Sequence, residues 1–316
     1  MTVKPRLLLI GVSCLLVAAT ACGPGGTPDE KKSATPQPTV EPLLKGGVTV
    51  AVKIDQPGFN VHSPQEHNYA GFDNDLSVYL ARKLNYTASP TDVESKRREE
   101  VLQPGGAADL VIATYSITES RLSKVDFAGP YLNTRQGLLV KKGYTGIENR
   151  NDTAGKAICT AEGSTSDPNS TSISTDPEKT RKAVRNLLHK DARVETRKDY
   201  RQCVEELRRG DFEAVWTDRA LLYGFAEVYD DVEVIKDFST GELQRYGIGL
   251  PKGHPKDCAR LVEGLRDFLQ YRWKDAFRSH FPKLAELDRD FENTYKPDPA
   301  QLDGYSCQSG KSGKSD

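Results

Sequence analysis

The sequence predicts an α/β protein built from mainly parallel strands. Short apolar, β-branched runs recur along the chain, stretches with helical spacing lie between them, and 26 glycines and 18 prolines among 316 residues mark frequent turns. The length suits two domains. Lys and Arg number 44 against 45 Asp and Glu, a net charge of −1, so no uniform basic field exists to hold nucleic acid. A hydrophobic share of 37% with 28% charged residues excludes a multi-span membrane protein and a disordered chain.

The first segment lies outside the fold. Lys4 and Arg6 precede an apolar run, Leu7 to Ala21, which falls short of the about twenty residues a spanning helix needs. Residues 1–21 therefore read as a secretory signal. The run ends in Ala18-Ala19-Thr20-Ala21 before Cys22, which resembles the lipobox of a bacterial lipoprotein with Ala19 where Leu is usual. Cys22 is then the lipidation site, and loss of Lys4 and Arg6 takes the net charge from −1 to −3. Residues 22–44 have too few apolar side chains to join a core and read as a flexible tether, and 308–316 read as a disordered tail.

In the body, Val48 to Ile54 (VTVAVKI) is a buried strand closed by the turn Asp55-Gln56-Pro57-Gly58. A helix follows over Leu76 to Leu84, with Asp73 and Asp75 placed to cap its start. Glu99 to Leu102 is a short helix, Asp109 to Tyr115 a buried strand and Gly137 to Lys141 another. Further strands are expected at 156–160, 192–196, 213–217, 232–235 and 246–251, with helices at 180–190, 200–209 and 258–281. Four cysteines, Cys159, Cys203, Cys258 and Cys307, fit an exported protein with two disulfides, for which three pairings exist. His62, His67, His189, His254 and His280 show no metal-ligand spacing, and no G-x-S-x-G, P-loop or HExxH motif occurs. Neither a metal, a cofactor nor catalysis is indicated.

Five segments together resemble the extracellular solute-binding proteins of family 3, the polar amino acid receptors of ABC importers. They are KIDQPGF (53–59), GFDNDL (71–76), DLVIATYSITESRLSKVDFAGPY (109–131), GSTS (163–166) and AVWTDRALLYGF (214–225), of which the third is specific. The wording looks most like the actinobacterial glutamate-binding branch. The resemblance implies a two-lobed, periplasmic-binding-protein-like (type II) fold with two hinge crossovers, near 131–142 and 239–246. Lobe one is then 45–138 plus 244–307, and lobe two 139–243. With the lobes so placed, Cys159 and Cys203 share the second lobe, which implies that they pair and leave Cys258 with Cys307.

The resemblance also implies the site. A zwitterion enclosed between lobes needs a countercharge for each end. Arg121, just beyond a strand end, would grip the α-carboxylate with a planar fork, beside Thr114 and Ser116. Read alone, Thr118 is a helix cap and Arg121 a surface residue. From the second lobe, Ser164 and Thr165 of GSTS would grip the same carboxylate, and Asp218, after the strand AVWT, would meet the ammonium. Read alone, Asp218 is a helix N-cap. Ser95 and Arg98 fall where dicarboxylate binders hold the side chain, Tyr200 where they carry a polar ring, and Phe59 would cover the aliphatic stem. Asp55 would contact the ammonium or simply end its strand. The expected protein is a monomeric, lipid-anchored receptor outside the cell membrane that delivers glutamate, aspartate or a related amino acid to ABC permease subunits. Signalling to a membrane sensor is the alternative output. A dehydratase of the same fold is the enzymatic alternative, and no carboxylate is evidently surplus for its general acid.

Overall fold

The computed structural model describes residues 41–63, 65 and 68–308. The expected leader, Cys22, nearly all of the tether, His67 and residues 309–316 lie outside them. The described chain is anchored from its start, because the Leu43 and Leu44 amides both donate to the Asp257 carboxylate and Leu44 is buried.

The run VTVAV forms β1 (Gly46–Val52). Val48, Val50, Ala51 and Val52 are all buried, as a strand covered on both faces requires. A small antiparallel sheet absent from the sequence reading follows, made of β2 (Asp55–Gln56), β3 (Asn60–Ser63) and β4 (Asn68–Ala70). Helix α1 (Phe72–Leu84) starts a turn earlier than expected, buries Phe72, Leu76 and Leu80, and ends at Asn85 in the left-handed conformation. Asp73 therefore sits inside the first turn and caps nothing. The chain continues through β5 (Tyr86–Asp92), β6 (Leu110–Val111), the short α2 (Glu119–Leu122) and the long β7 (Asp126–Lys141).

The second half runs β8 (Ala157–Ala161), α3 (Pro177–Arg185), β9 (Arg193–Arg197), α4 (Tyr200–Arg209), β10 (Ala214–Asp218), α5 (Arg219–Val228), β11 (Val232–Val234) and β12 (Thr240–Leu250). One sheet has the order β5-β1-β6-β12-β7-β10-β8-β9, with β11 also on β7. The triplets β5-β1-β6 and β10-β8-β9 are parallel, as expected of each lobe. The centre is not, because β7 and β12 are antiparallel to each other and to their neighbours. The two expected crossovers fall in this hydrogen-bonded pair, which runs from Thr240 opposite Gln136 to Leu250 opposite Asp126 with the register shifting between Thr240 and Gln244 and between Tyr246 and Ile248.

The expected helix 258–281 is two, α6 (Pro255–Tyr271) and α7 (Trp273–His280), which break at Arg272. This turn lets Trp273 and Phe277 stack with Phe291 beneath Phe72. Three short helices follow, α8 (Pro282–Leu287), α9 (Phe291–Tyr295) and α10 (Pro299–Tyr305).

Cys159 bonds Cys203, joining β8 to α4, and Cys258 bonds Cys307, tying the end of the chain to α6, over sequence separations of 44 and 49. Loops of that length should each restrict the unfolded chain by about 4 kcal/mol. Replacing Cys258 and Cys307 together by Ser should lower the urea midpoint accordingly, and non-reduced peptide mapping should recover 159 with 203; a 203–258 peptide would overturn the connectivity.

Candidate ligand-binding cleft

Beyond β6 the chain stays buried from Ile112 to Ser116. Thr114 adopts φ 45°, a left-handed conformation that costs a β-branched residue about 1 to 2 kcal/mol. Its partners hold it there. The Thr114 amide donates to Asp73 Oδ2 at 2.9 Å, and its hydroxyl lies 2.9 Å from Gln56 Oε1. Asp73 also accepts from the Tyr131 hydroxyl at 2.9 Å. Burial pushes its carboxyl up to about 7, opposed by these two hydrogen bonds and the Arg98 charge.

Two guanidiniums lie side by side here, Arg98 3% and Arg121 1% exposed. Thr118 does cap α2, accepting from the Arg121 amide, but the Arg121 side chain is core rather than surface. Arg98 donates from Nε to the Ser95 carbonyl at 3.0 Å and from Nη1 to those of Ala113 at 2.9 Å and Thr114 at 3.0 Å. Arg121 donates from Nη1 to the Ser116 carbonyl at 2.8 Å and from Nε to Glu99 Oε1 at 2.9 Å. Both guanidinium carbons sit over the Tyr115 ring, 4.9 and 4.8 Å from its centre. Burial pushes the Glu99 carboxyl up, but the Arg121 and Arg98 charges outweigh it and hold the group below its ordinary value. Across the cleft, Nη2 of Arg98 at 3.4 Å and of Arg121 at 3.1 Å converge on the Gly163 carbonyl.

Gly163 opens the turn after β8 at φ +71°, where a Cβ would lie 2.3 Å from Lys96 Cα on the facing lobe. Gly224 on α5 does the same against the Pro57 carbonyl, at 1.9 Å. These two glycines let the lobes meet. The Gly163 turn is fixed to the crossover, since Gln136 Nε2 donates to Ser166 Oγ at 2.8 Å and Thr165 Oγ1 at 3.3 Å. Asp218 stands at the N-cap position of α5 but makes no capping bond. The amide of Ala220 donates to Thr134 Oγ1 instead. One Asp218 oxygen accepts from the Tyr246 hydroxyl at 2.6 Å; the other is buried without a partner among the described residues. Burial pushes this carboxyl up to about 6, against the Tyr246 bond and the two guanidinium charges.

These groups line a small cavity of about 10 Å³, bounded by Ser95, Arg98, Thr114, Ser116, Ser164, Thr165, Tyr200, Thr217, Asp218 and Leu221. Eight of the residues expected from the sequence thus come together. Three do not line it. Arg121 lies behind the wall on Glu99, Ser116 and Gly163. Phe59 is fully buried among Phe72, Tyr246 and Phe281, so it is core and not a lid. Asp55 turns to the Lys53 ammonium at 3.1 Å, in a separate cleft that Asp92 and Arg201 also line. Thr217 and Leu221 were not foreseen, although Thr217 directly precedes Asp218 on β10 and donates to the Tyr200 hydroxyl at 2.7 Å. One guanidinium, one carboxylate with an unpartnered oxygen and a rim of hydroxyls complement a small zwitterion with a polar substituent.

The family model described as bacterial extracellular solute-binding proteins, family 3, matches residues 48–282. The chain belongs to this family. Among curated relatives, the glutamate-binding protein GluB of Corynebacterium glutamicum is 30% identical over 257 residues, 77% of this chain and 79% of that one. The glutamine-binding protein GlnH of Bacillus subtilis is 30% identical over 251 residues, 78% of this chain and 85% of that one. A solved structure of an ancestral arginine-binding protein bound to glutamine is 26% identical, covers 75% of this chain and 98% of its own, and superposes with a TM-score of 0.63. The fold is accordingly the two-lobed type II architecture of these receptors. No helix among the described residues is long and apolar enough to cross a membrane, and no group of His, Cys, Asp or Glu among them is placed to hold a metal.

The raised Asp218 carboxyl has a sign that can be checked in this family 3 protein. A native group near 6 keeps a proton that the unfolded chain releases near 3.8, so the free protein loses stability as pH rises from about 4 to about 6. Asp218→Asn should remove that loss. Its melting temperature minus that of the parent should grow across this window and then stay constant; a difference independent of pH would refute the buried, raised carboxyl.

Proposed function

We propose that the chain is the extracellular receptor of an ABC importer for a polar amino acid of the glutamate and glutamine class. The observation that carries this is Asp218, which has one oxygen without a partner among the described residues and lines the same hydroxyl-rich cavity as Arg98. The ammonium bonds Asp218. The carboxylate lies against the Ser116 hydroxyl and Thr165, in front of the Arg121 charge. Arg98, Ser95, Ser164 and Tyr200 face the side chain. The names of GluB and GlnH support the ligand class. In this reading a lipid on Cys22 holds the protein at the membrane, and the linking segment ends before Leu43 and Leu44, which pack on Asp257. Residues 45–138 with 244–307 close on 139–243 by bending the β7–β12 pair. The receptor works as a monomer, hands its ligand unchanged to the permease subunits, and carries no catalytic group.

A thermal-shift screen of the chain from Gly23 against the standard amino acids should find a small set of polar ligands, each adding about 2.7 kcal/mol at 100 times its dissociation constant. Arg98→Met and Arg121→Met should each weaken the best ligand by about 3 kcal/mol or more in calorimetry while staying folded. Unchanged affinity in both would exclude this cleft. Because the ligand ammonium must displace the Asp218 proton, affinity should fall up to about tenfold per pH unit below about 6 and stay level above it. A profile flat from about pH 4 to 8 would remove Asp218 from the ammonium site.

A further inference from the structure

The relatives carry the names of an acid and of its amide, and the two ligands differ by one charge. We infer that Glu99 is the specificity-determining residue, a built-in counterion to Arg121 that fits the cleft to a zwitterion with a neutral amide side chain over a dicarboxylate. This rests on the amino acid site proposed above.

Glu99 does not line the cavity, so it acts through Arg121 rather than by touching the ligand. Its Oε1 accepts from Arg121 Nε at 2.9 Å, with the two side chains 17% and 1% exposed. Around the cavity the buried cations are Arg98 and Arg121, and the anions are Glu99 and Asp218. Asp73, behind Thr114, and Asp167, which accepts from the Gly163 amide at 2.9 Å, can only add negative charge. The other charged groups nearby are already paired, Lys53 with Asp55, Lys96 with Glu162 and Lys198 with Glu94. The two guanidinium charges are therefore already offset before any ligand enters. An amino acid with an amide side chain keeps that balance, whereas one with a second carboxylate brings a charge that nothing offsets where water is excluded.

The donor geometry agrees. A carboxylate is best met by the two parallel N–H groups of a guanidinium fork. Nε and Nη1 of Arg98 already bond the Ser95, Ala113 and Thr114 carbonyls. Nη2, with one 3.4 Å contact, is the end left to reach a ligand, and a single N–H matches one amide oxygen better than a carboxylate. Glu99 thus fixes the charge count, and the backbone carbonyls fix the number of donors.

The test is calorimetric titration of the parent and Glu99→Gln with L-glutamine and L-glutamate. Gln keeps an oxygen for Arg121 and removes the charge. The parent should prefer glutamine, and Glu99→Gln should move the glutamate-to-glutamine affinity ratio toward glutamate by about tenfold or more, which is 1.4 kcal/mol of selectivity. A ratio unmoved in the folded variant, or a parent that binds glutamate more tightly than glutamine, would overturn the role of Glu99 while leaving the receptor reading in place. The parent's preference decides the matter even if the variant fails to fold. A folded parent that binds no amino acid would remove the receptor reading and this inference with it.

Discussion

Two like charges buried side by side, Arg98 and Arg121, constrain everything around the cleft. Both are taken out of water, so each must find acceptors inside the protein. The chain after β6 meets that demand by turning the carbonyls of Ala113, Thr114 and Ser116 toward them, and a straight strand could not aim all three. The left-handed Thr114 follows from this path, and Asp73 is buried to hold its amide. Tyr115 offers its ring to both guanidiniums, and Glu99 supplies the full negative charge in direct contact with Arg121. The last acceptor comes from the opposite lobe, at Gly163, so the electrostatics of one lobe are completed only when the other is in place.

What the sequence revealed and concealed follows from the range of the interactions. The placement of Ser116, Asp218 and the Gly163 turn at strand ends was legible because a buried run stops beside them. Of β7 only Gly137 to Lys141 was legible as strand; Asn133, Thr134 and Gln136 are buried in it as well because β12 and the lobe-two turn take up their polar groups. Strand β5, YTASPTD, lies at the edge of the sheet with little buried, so it carries almost no apolar pattern. Phe59 was a misreading that local sequence cannot correct, because whether an aromatic covers a ligand or a core depends on Phe72, Tyr246 and Phe281, all distant in the chain. Asp55 was different. Lys53 two residues earlier points to the same face, and that spacing already signals a local ion pair.

The seam between the lobes shows what a ligand must add. Its outer contacts, Lys96 with Glu162 and Lys198 with Glu94, are exposed, and pairs of that kind contribute about 0 to 1 kcal/mol each. The hydroxyls of Thr118 and Ser120 donate to the Ser172 and Thr171 carbonyls, which exchanges water bonds for protein bonds at a modest net gain. Gly163 brings only a neutral carbonyl to two cations, which adds no counter-charge to them. Closure in the proposed receptor therefore depends on a ligand that presents an anion to this pair and a cation to Asp218 at once, since only differential affinity for the closed form shifts the equilibrium. Glu99 subtracts one charge from what the pair can accept. The residue that stabilises two buried arginines in the free protein is thereby also the one that sets how much negative charge the ligand can carry.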